Sequence, residues 1–156
     1  MTASDYLVGD GDWDDPALID LLRRSAEEVL PLYAEDDLSK QRVAPLVRED
    51  VVSVSVVRRG EEVVAAGVIA HVHDAFEVKR LTVASAHRRR GLARIVLRDL
   101  ERRAAERGIV RLRLQTGFRQ DAAIALYESE SWHPIAPFGP YSDDDLISRC
   151  FEKEIA

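Results

Sequence analysis

Apolar and polar positions change their spacing along the chain, and the changes divide it into elements. Val52, Val54 and Val56 alternate with Ser53 and Ser55, the period of two expected of a strand. Arg58, Arg59, Gly60 and Glu61 make a polar break holding a glycine, which reads as a hairpin turn. An apolar run returns over 63–72, Asp74 marks a second turn, and 76–84 reads as the next strand. The middle of the chain is therefore predicted to be an antiparallel meander. From Gly91 the period lengthens. Ala93, Val96, Leu97, Leu100 and Ala104 fall on one helical stripe, with Arg94, Arg98, Glu101 and Arg102 outside it. Gly108 is placed to stop this helix. Residues 109–116 alternate again, so strand, helix and strand form a βαβ unit whose two strands should be parallel.

The flanks are read the same way. Residues 6–8 suggest a short first strand, followed by an acidic loop over 9–15. Asp15 before Pro16 has the form of an N-cap with proline at the first helical position. The helix that follows carries Leu18, Leu21, Leu22, Val29 and Leu30 on one side, and Pro31 should end it. A weaker helix is expected over 36–43. Residues 120–129 form a short helix with Asp121 as a candidate cap. Two closing strands, 132–135 and 147–153, are separated by a loop rich in Pro, Gly and Asp. The expectation is one α/β (α+β) domain over 1–156, with a mixed central sheet.

Composition narrows the function. The chain has 156 residues with a net charge of -6, which argues against general nucleic-acid or anionic-membrane binding. The N-terminal segment lacks an apolar signal region, and the run at 63–72 is too short to span a bilayer. A lone cysteine, Cys150, allows no intrachain disulfide. A cytoplasmic protein is expected. Cys150 lies in a closing strand and reads as core rather than as a nucleophile.

The chemistry gathers where the meander meets the long helix. A strand ends, three arginines follow (Arg88, Arg89 and Arg90), and Gly91 opens the helix with Leu92 and Ala93. Free backbone N–H groups and the positive helix end converge on such a turn, which suits a phosphate. Gly91 lets the backbone approach a ligand closely, and the arginines supply charge for a diphosphate. Taken alone, six basic and small residues before a helix also describe an ordinary solvated turn.

In its context the turn says more. Arg-x-x-Gly-x-Ala on a strand–helix turn, after a meander, resembles the acyl-CoA signature of the GNAT N-acetyltransferase superfamily. Arg80-Leu81-Thr82-Val83 looks like that family's fourth strand, and Ala123-Ile124-Ala125-Leu126-Tyr127 like its Ala-x-x-Leu-Tyr helix. The element order matches over nearly the whole chain. The run from Leu114 to Tyr141 further resembles a bacterial subgroup of small GNAT proteins. The resemblance implies a GNAT fold, acetyl-CoA as acyl donor, no metal, and direct transfer to a primary amine of a small molecule or amino-acid-like acceptor. It implies that backbone groups of Leu81, Thr82 and Val83 pair with pantetheine where two strands splay. The turn from Arg88 to Ala93 would hold the pyrophosphate. GNAT proteins are commonly dimers, so a homodimer is a further implication. Gln120 stands seven residues before Tyr127, where the family often has an asparagine touching CoA. Ser131-Trp132 replaces its Gly-Phe, so a left-handed turn there would be strained.

Acetyl transfer to an amine needs a base for the ammonium and an acid for the departing thiolate. The resemblance gives Tyr127 the acid role, and a phenol titrating near ~10 suits it. Packing of its ring in the core is the competing role. Glu77 is the candidate base, with pairing to Lys79 or Arg80 as the alternative. Strict alternation would put Glu77, Lys79, Leu81 and Val83 on one face and Phe76, Val78, Arg80 and Thr82 on the other. His71 and His73 lie two apart, so both should face one side. No further ligand at metal spacing joins them. Trp13, Tyr33, Phe138 and Tyr141 are the aromatic candidates for the acceptor side. Asp36, Asp37, Asp143, Asp144 and Asp145 would attract a cationic amine. A non-catalytic acyl-CoA-binding module and a protein or tRNA acetyltransferase are the alternative readings.

Overall fold

The computed structural model describes residues 5–33, 46–142 and 147–155. The helix expected over 36–43 and the acidic residues Asp36, Asp37, Asp143, Asp144 and Asp145 lie outside them. The described residues form a seven-stranded sheet: β1 (Leu7–Asp10), β2 (Val51–Arg59), β3 (Glu62–Val72), β4 (Ala75–Val83), β5 (Arg111–Gly117), β6 (His133–Ile135) and β7 (Ser148–Glu154). Their order is β1-β2-β3-β4-β5-β7-β6. The predicted meander is β2, β3 and β4, each antiparallel to the next. The first strand starts at Leu7 and runs through Asp10, beyond the expected 6–8, because its backbone pairs with β2 as far as Ser55.

Among the described residues three α-helices cover the sheet: α1 (Pro16–Val29), α2 (Leu92–Glu106) and α3 (Asp121–Ser129). Asp15 caps α1 as its sequence suggests, accepting a hydrogen bond from the Ala17 amide at 3.0 Å. The expected stripe on α2 is the buried one: Val96, Leu97, Leu100 and Ala104 are fully covered. Gly108, with φ of 74°, closes α2. The Gly108 amide donates to the Ala105 carbonyl and the Ile109 amide to that of Ala104, a Schellman arrangement. Asp121 is not a cap. Gln120 takes that position with no side-chain bond to the helix, and Asp121 is the first helical residue.

The core has two halves, one on each side of the sheet. Leu18 and Leu21 of α1 pack on Val54, Val56, Ala66 and Val68. On the other side α2 packs on Val57, Val64, Ala65 and Ile69, with Tyr127, Trp132 and Phe151 continuing the cluster. Within the second half, Asp99 of α2 accepts from Ser55 Oγ at 2.7 Å and from Arg103 Nε at 2.6 Å. This buried polar tie fixes how α2 sits on β2. Ser131 adopts φ of 67°, so the left-handed turn expected before Trp132 is present without glycine. Trp132 follows it into the core, 2% exposed.

Strict alternation fails in β4. Arg80 has φ of 59°, and the register with β3 slips there: Val68 faces Lys79, but Ala66 faces Thr82. This is a β-bulge, with one extra residue in β4. Before it, Glu77 pairs with Ala70 and Lys79 with Val68, on the α1 side of the sheet. After it, Thr82 joins that side, bonding Ser25 of α1 at 2.7 Å, while Leu81 and Val83 pack into the α2 half with Val78. Leu81 and Val83 therefore do not share a face with Glu77 and Lys79, and Thr82 does. The histidines also part company. His71 pairs across β3–β4 with Phe76 and stacks on it at 4.7 Å. His73, left-handed at φ of 52°, turns toward Glu77.

Candidate functional site

Parallel neighbours β4 and β5 share a single register pair, Glu77 with Arg113. Beyond it they part, and a cleft of about 1210 Å³ opens between them, floored by the second half of β4 and walled by α1 and the starts of α2 and α3. A parted strand leaves backbone N–H and C=O groups without ladder partners, and such groups call for a ligand or solvent.

The turn into α2 is built for close approach. Arg89 has φ of 64° and Gly91 φ of 75°, with Arg90 between them outside that region. Left-handed residues so spaced turn successive amides toward one side, forming an anion-binding concavity. A Cβ on Gly91 would meet nothing within 4 Å, so glycine is needed there for its backbone angle alone. No side chain caps α2 or α3, which leaves the first amides of both helices as open donors beside the cleft. Arg88 pairs across the cleft with Glu28 of α1, and Arg94 with Glu130 at 3.3 Å.

Most residues singled out in the sequence meet here. Leu81, Thr82, Val83, Arg88, Arg89, Gly91, Leu92, Ala93, Gln120 and Tyr127 all line the cleft; Arg90 and Glu77 do not. Tyr127 is 5% exposed and packs on Trp132 and Phe151 with ring centroids at 6.1 and 5.6 Å. The ring is core, as the competing role had it, and the residue also borders the cleft. Its hydroxyl has no hydrogen-bond partner among the described residues, and burial pushes its pKa up to about 12. At neutral pH it is a held proton.

Glu77 is buried, 1% exposed, within a shell of basic side chains. His73 Nδ1 lies 3.4 Å away, Lys79 Nζ 3.6 Å and an Arg113 guanidinium nitrogen 3.7 Å. Phe138 and Tyr141, downstream of β6, roof this cluster. Phe138 stacks under Arg113 with the guanidinium carbon 3.8 Å from the ring centre, and the Tyr141 hydroxyl accepts from Lys79 Nζ at 3.4 Å. Lys79 is the member that lines the cleft, and burial holds its ammonium below the usual lysine pKa against the opposing pull of Glu77. Burial, with Glu77 adding to it, pushes the Tyr141 phenol up to about 12. Buried Cys150 is pushed up to about 11, chiefly by burial, so it is a protonated core thiol rather than a nucleophile.

Of the aromatic candidates, Tyr33 and Tyr141 line the cleft. Trp13 instead packs against the α1 half of the core. Neither His71 nor His73 borders the cleft. The sequence reading overlooked Ser25, Arg119 and the site role of Lys79. Arg119 lies over the Phe118 ring at 4.4 Å, and its Nε donates to the Leu32 carbonyl at 3.1 Å. Its signal was present in the sequence as a lone cation directly after Gly117-Phe118, at the end of β5. Lys79 has no local signal, because its burial depends on the distant roof.

Comparison with known proteins agrees with this geometry. The model of the acetyltransferase (GNAT) family matches residues 16–131. An IAA acetyltransferase of Azospirillum brasilense is 34% identical over 132 residues, 83% of each chain. The crystal structure of a proposed acyl-CoA N-acyltransferase from Klebsiella pneumoniae has a TM-score of 0.77 at 31% identity, covering 97% of this chain and 98% of its own. A GNAT acetyltransferase from Elizabethkingia anophelis, solved with acetyl-CoA bound, superposes with a TM-score of 0.67 at 14% identity, over 96% and 98% of the two chains. With its splayed strands, open helix starts and left-handed basic turn, this chain belongs to the acetyltransferase (GNAT) family and is an acyl-CoA-dependent acetyltransferase.

Proposed function

We propose that the protein transfers an acetyl group from acetyl-CoA directly to the primary amine of a small molecule, within a single domain. The observation that carries this reading is Tyr127: an unpartnered, protonated phenol on the same cleft as the uncapped start of α2. Backbone groups of Leu81, Thr82 and Val83 hold the pantetheine arm. The amides from Arg88 to Ala93 hold the pyrophosphate, Arg88 exchanging Glu28 for it, and Gln120 adds an amide contact. Bound acetyl-CoA supplies the activated acyl group.

The residues then divide the proton work. Glu77 is the base, and its burial means it acts across one bridging water rather than by touching the amine. His73, Lys79 and Arg113 around it hold its carboxylate in place and offer a path for the proton it takes. Tyr127 gives its proton to the departing sulfur and regains one from the nitrogen as the amide forms. The desolvation that raises the phenol also raises a thiolate beside it, so the two remain matched for exchange. The test is release of free thiol from acetyl-CoA over a panel of primary amines. Binding of acetyl-CoA without turnover of any amine would sink the reading.

A further inference from the structure

We infer that the amine acceptor carries a carboxylate, and that Lys79 and Tyr141 are the pair that grips it. The inference rests on the amine-acetylating reading above and names its substrate class. Lys79 Nζ and the Tyr141 hydroxyl lie 3.4 Å apart, both line the cleft, and both side chains are largely sealed from solvent. The ammonium carries three donors. Its two contacts, to Glu77 at 3.6 Å and to Tyr141 at 3.4 Å, are longer than good charge-assisted hydrogen bonds. The Tyr141 hydroxyl accepts from Lys79, which leaves its own hydrogen without an acceptor among the described residues. Two donors thus face one space, one charged and one neutral, and a carboxylate has two acceptor oxygens for them.

Charge points the same way. Among the described residues Glu77 is the one carboxylate in this cluster, and it is shared among His73, Lys79 and Arg113. Arg80 adds a further repulsive charge against Lys79. A free cationic amine would meet Lys79 before the Glu77 charge behind it, in a partly desolvated wall where like charges repel strongly. An acceptor whose carboxylate sits on Lys79 cancels that repulsion. It also offsets the burial of the Lys79 ammonium, which the shared Glu77 carboxylate balances only in part.

The experiment compares matched acceptors: phenylalanine with phenethylamine, and lysine with cadaverine, each pair differing by the carboxyl group. Wild-type protein is expected to favour the amino acid by about tenfold or more in kcat/KM, the scale of one charge-assisted pair. Lys79→Met and Tyr141→Phe should each shrink that preference about tenfold while acetyl-CoA affinity stays within about twofold. Equal or better use of the decarboxylated amines by wild-type protein overturns the inference. Should no amine be turned over, the direct-transfer reading fails separately. Calorimetry of CoA-loaded protein with N-acetylphenylalanine against N-acetylphenethylamine then decides this one. Tighter binding of the acid, lost in Tyr141→Phe, upholds it, and equal binding removes it.

Discussion

The Tyr33 hydroxyl occupies the place where a side chain on Gly117 would begin: a Cβ there would fall 1.8 Å from it. Gly117 ends β5, and Tyr33 follows α1, so the missing side chain is what lets the two walls of the cleft close on each other. The Arg119 amide donates to the same hydroxyl at 3.1 Å, completing the contact. Gly117→Ala is therefore expected to push Tyr33 outward and release Arg119. Overpacking of this kind costs roughly 1–3 kcal/mol. Calorimetric melting should show the loss, and the KM for the acceptor should rise more than that for acetyl-CoA.

Gly91 separates backbone strain from contact. Alanine there touches nothing but must adopt φ of 75°, at a cost of about 1–2 kcal/mol. Part of that strain is relieved by reshaping the turn. Gly91→Ala should then weaken acetyl-CoA binding by about tenfold, the equivalent of ~1.4 kcal/mol. Isothermal titration with CoA is the measurement. A variant with unchanged CoA affinity would show that the turn's shape is not what holds the phosphates.

Much of this architecture is written in local spacing. The alternation of Val54 and Val56, the stripe on α2 and the cap at Asp15 each follow from neighbours a few residues away, and the structure has them where they were expected; Val52 departs, turned into the α2 half of the core by a register shift between Val51 and Ser53. The parallel β4–β5 pairing follows from the βαβ order. What local spacing does not carry is the bulge at Arg80. Nothing in Lys79-Arg80-Leu81 marks a left-handed residue, since no Gly or Asn stands there, and tertiary context imposes the angle. The same holds for Glu77. Its burial comes from a roof at Phe138 and Tyr141, some 60 residues downstream. The sequence therefore names the residue but not its seclusion, and the acceptor-side chemistry is the less legible half of the site.

Tyr127 gives two distinguishable readouts. Tyr127→Phe is expected to lower kcat by about a hundredfold, within the range of a lost general acid, with little change in KM for acetyl-CoA. It should also alter alkaline stability. The folded pKa of about 12 exceeds the ordinary phenol value of 10.0. The burial of the neutral form therefore stabilises the fold fully below pH 10 and is lost as pH rises toward 12. That swing is worth ~3 kcal/mol, and Tyr141 contributes a parallel one. Chemical denaturation between pH 9 and pH 12 should show a shallower decline in Tyr127→Phe than in wild type.

Asp99 is the corresponding test on the acid side. Burial opposes its ionisation, but hydrogen bonds from Ser55, Arg103 and Arg102 overcome burial and hold its carboxyl below the usual range. Its contribution is thus present above the ordinary carboxylate pKa and is lost as pH falls through the lower folded value. Asp99→Ala leaves Arg103, whose side chain is 11% exposed, without its main inner partner. A loss of about 3–5 kcal/mol at neutral pH is expected, read by urea denaturation. A loss below 1 kcal/mol would show that Asp10, the outer partner of Arg103, suffices.

The single extra residue at Arg80 has a consequence for how this enzyme can change. On the proposed reading the strand meets its substrate through side chains up to Lys79, and after Arg80 it offers backbone. On the same reading, substitutions at Lys79 will be read as altered choice of acceptor and those at Glu77 as lost turnover. Those at Leu81 and Val83, turned into the α2 half of the core, will be read as altered stability. On that reading new acceptors are open to this scaffold by a change of one or two side chains, while the proposed grip on the donor rests largely on backbone atoms that every residue shares.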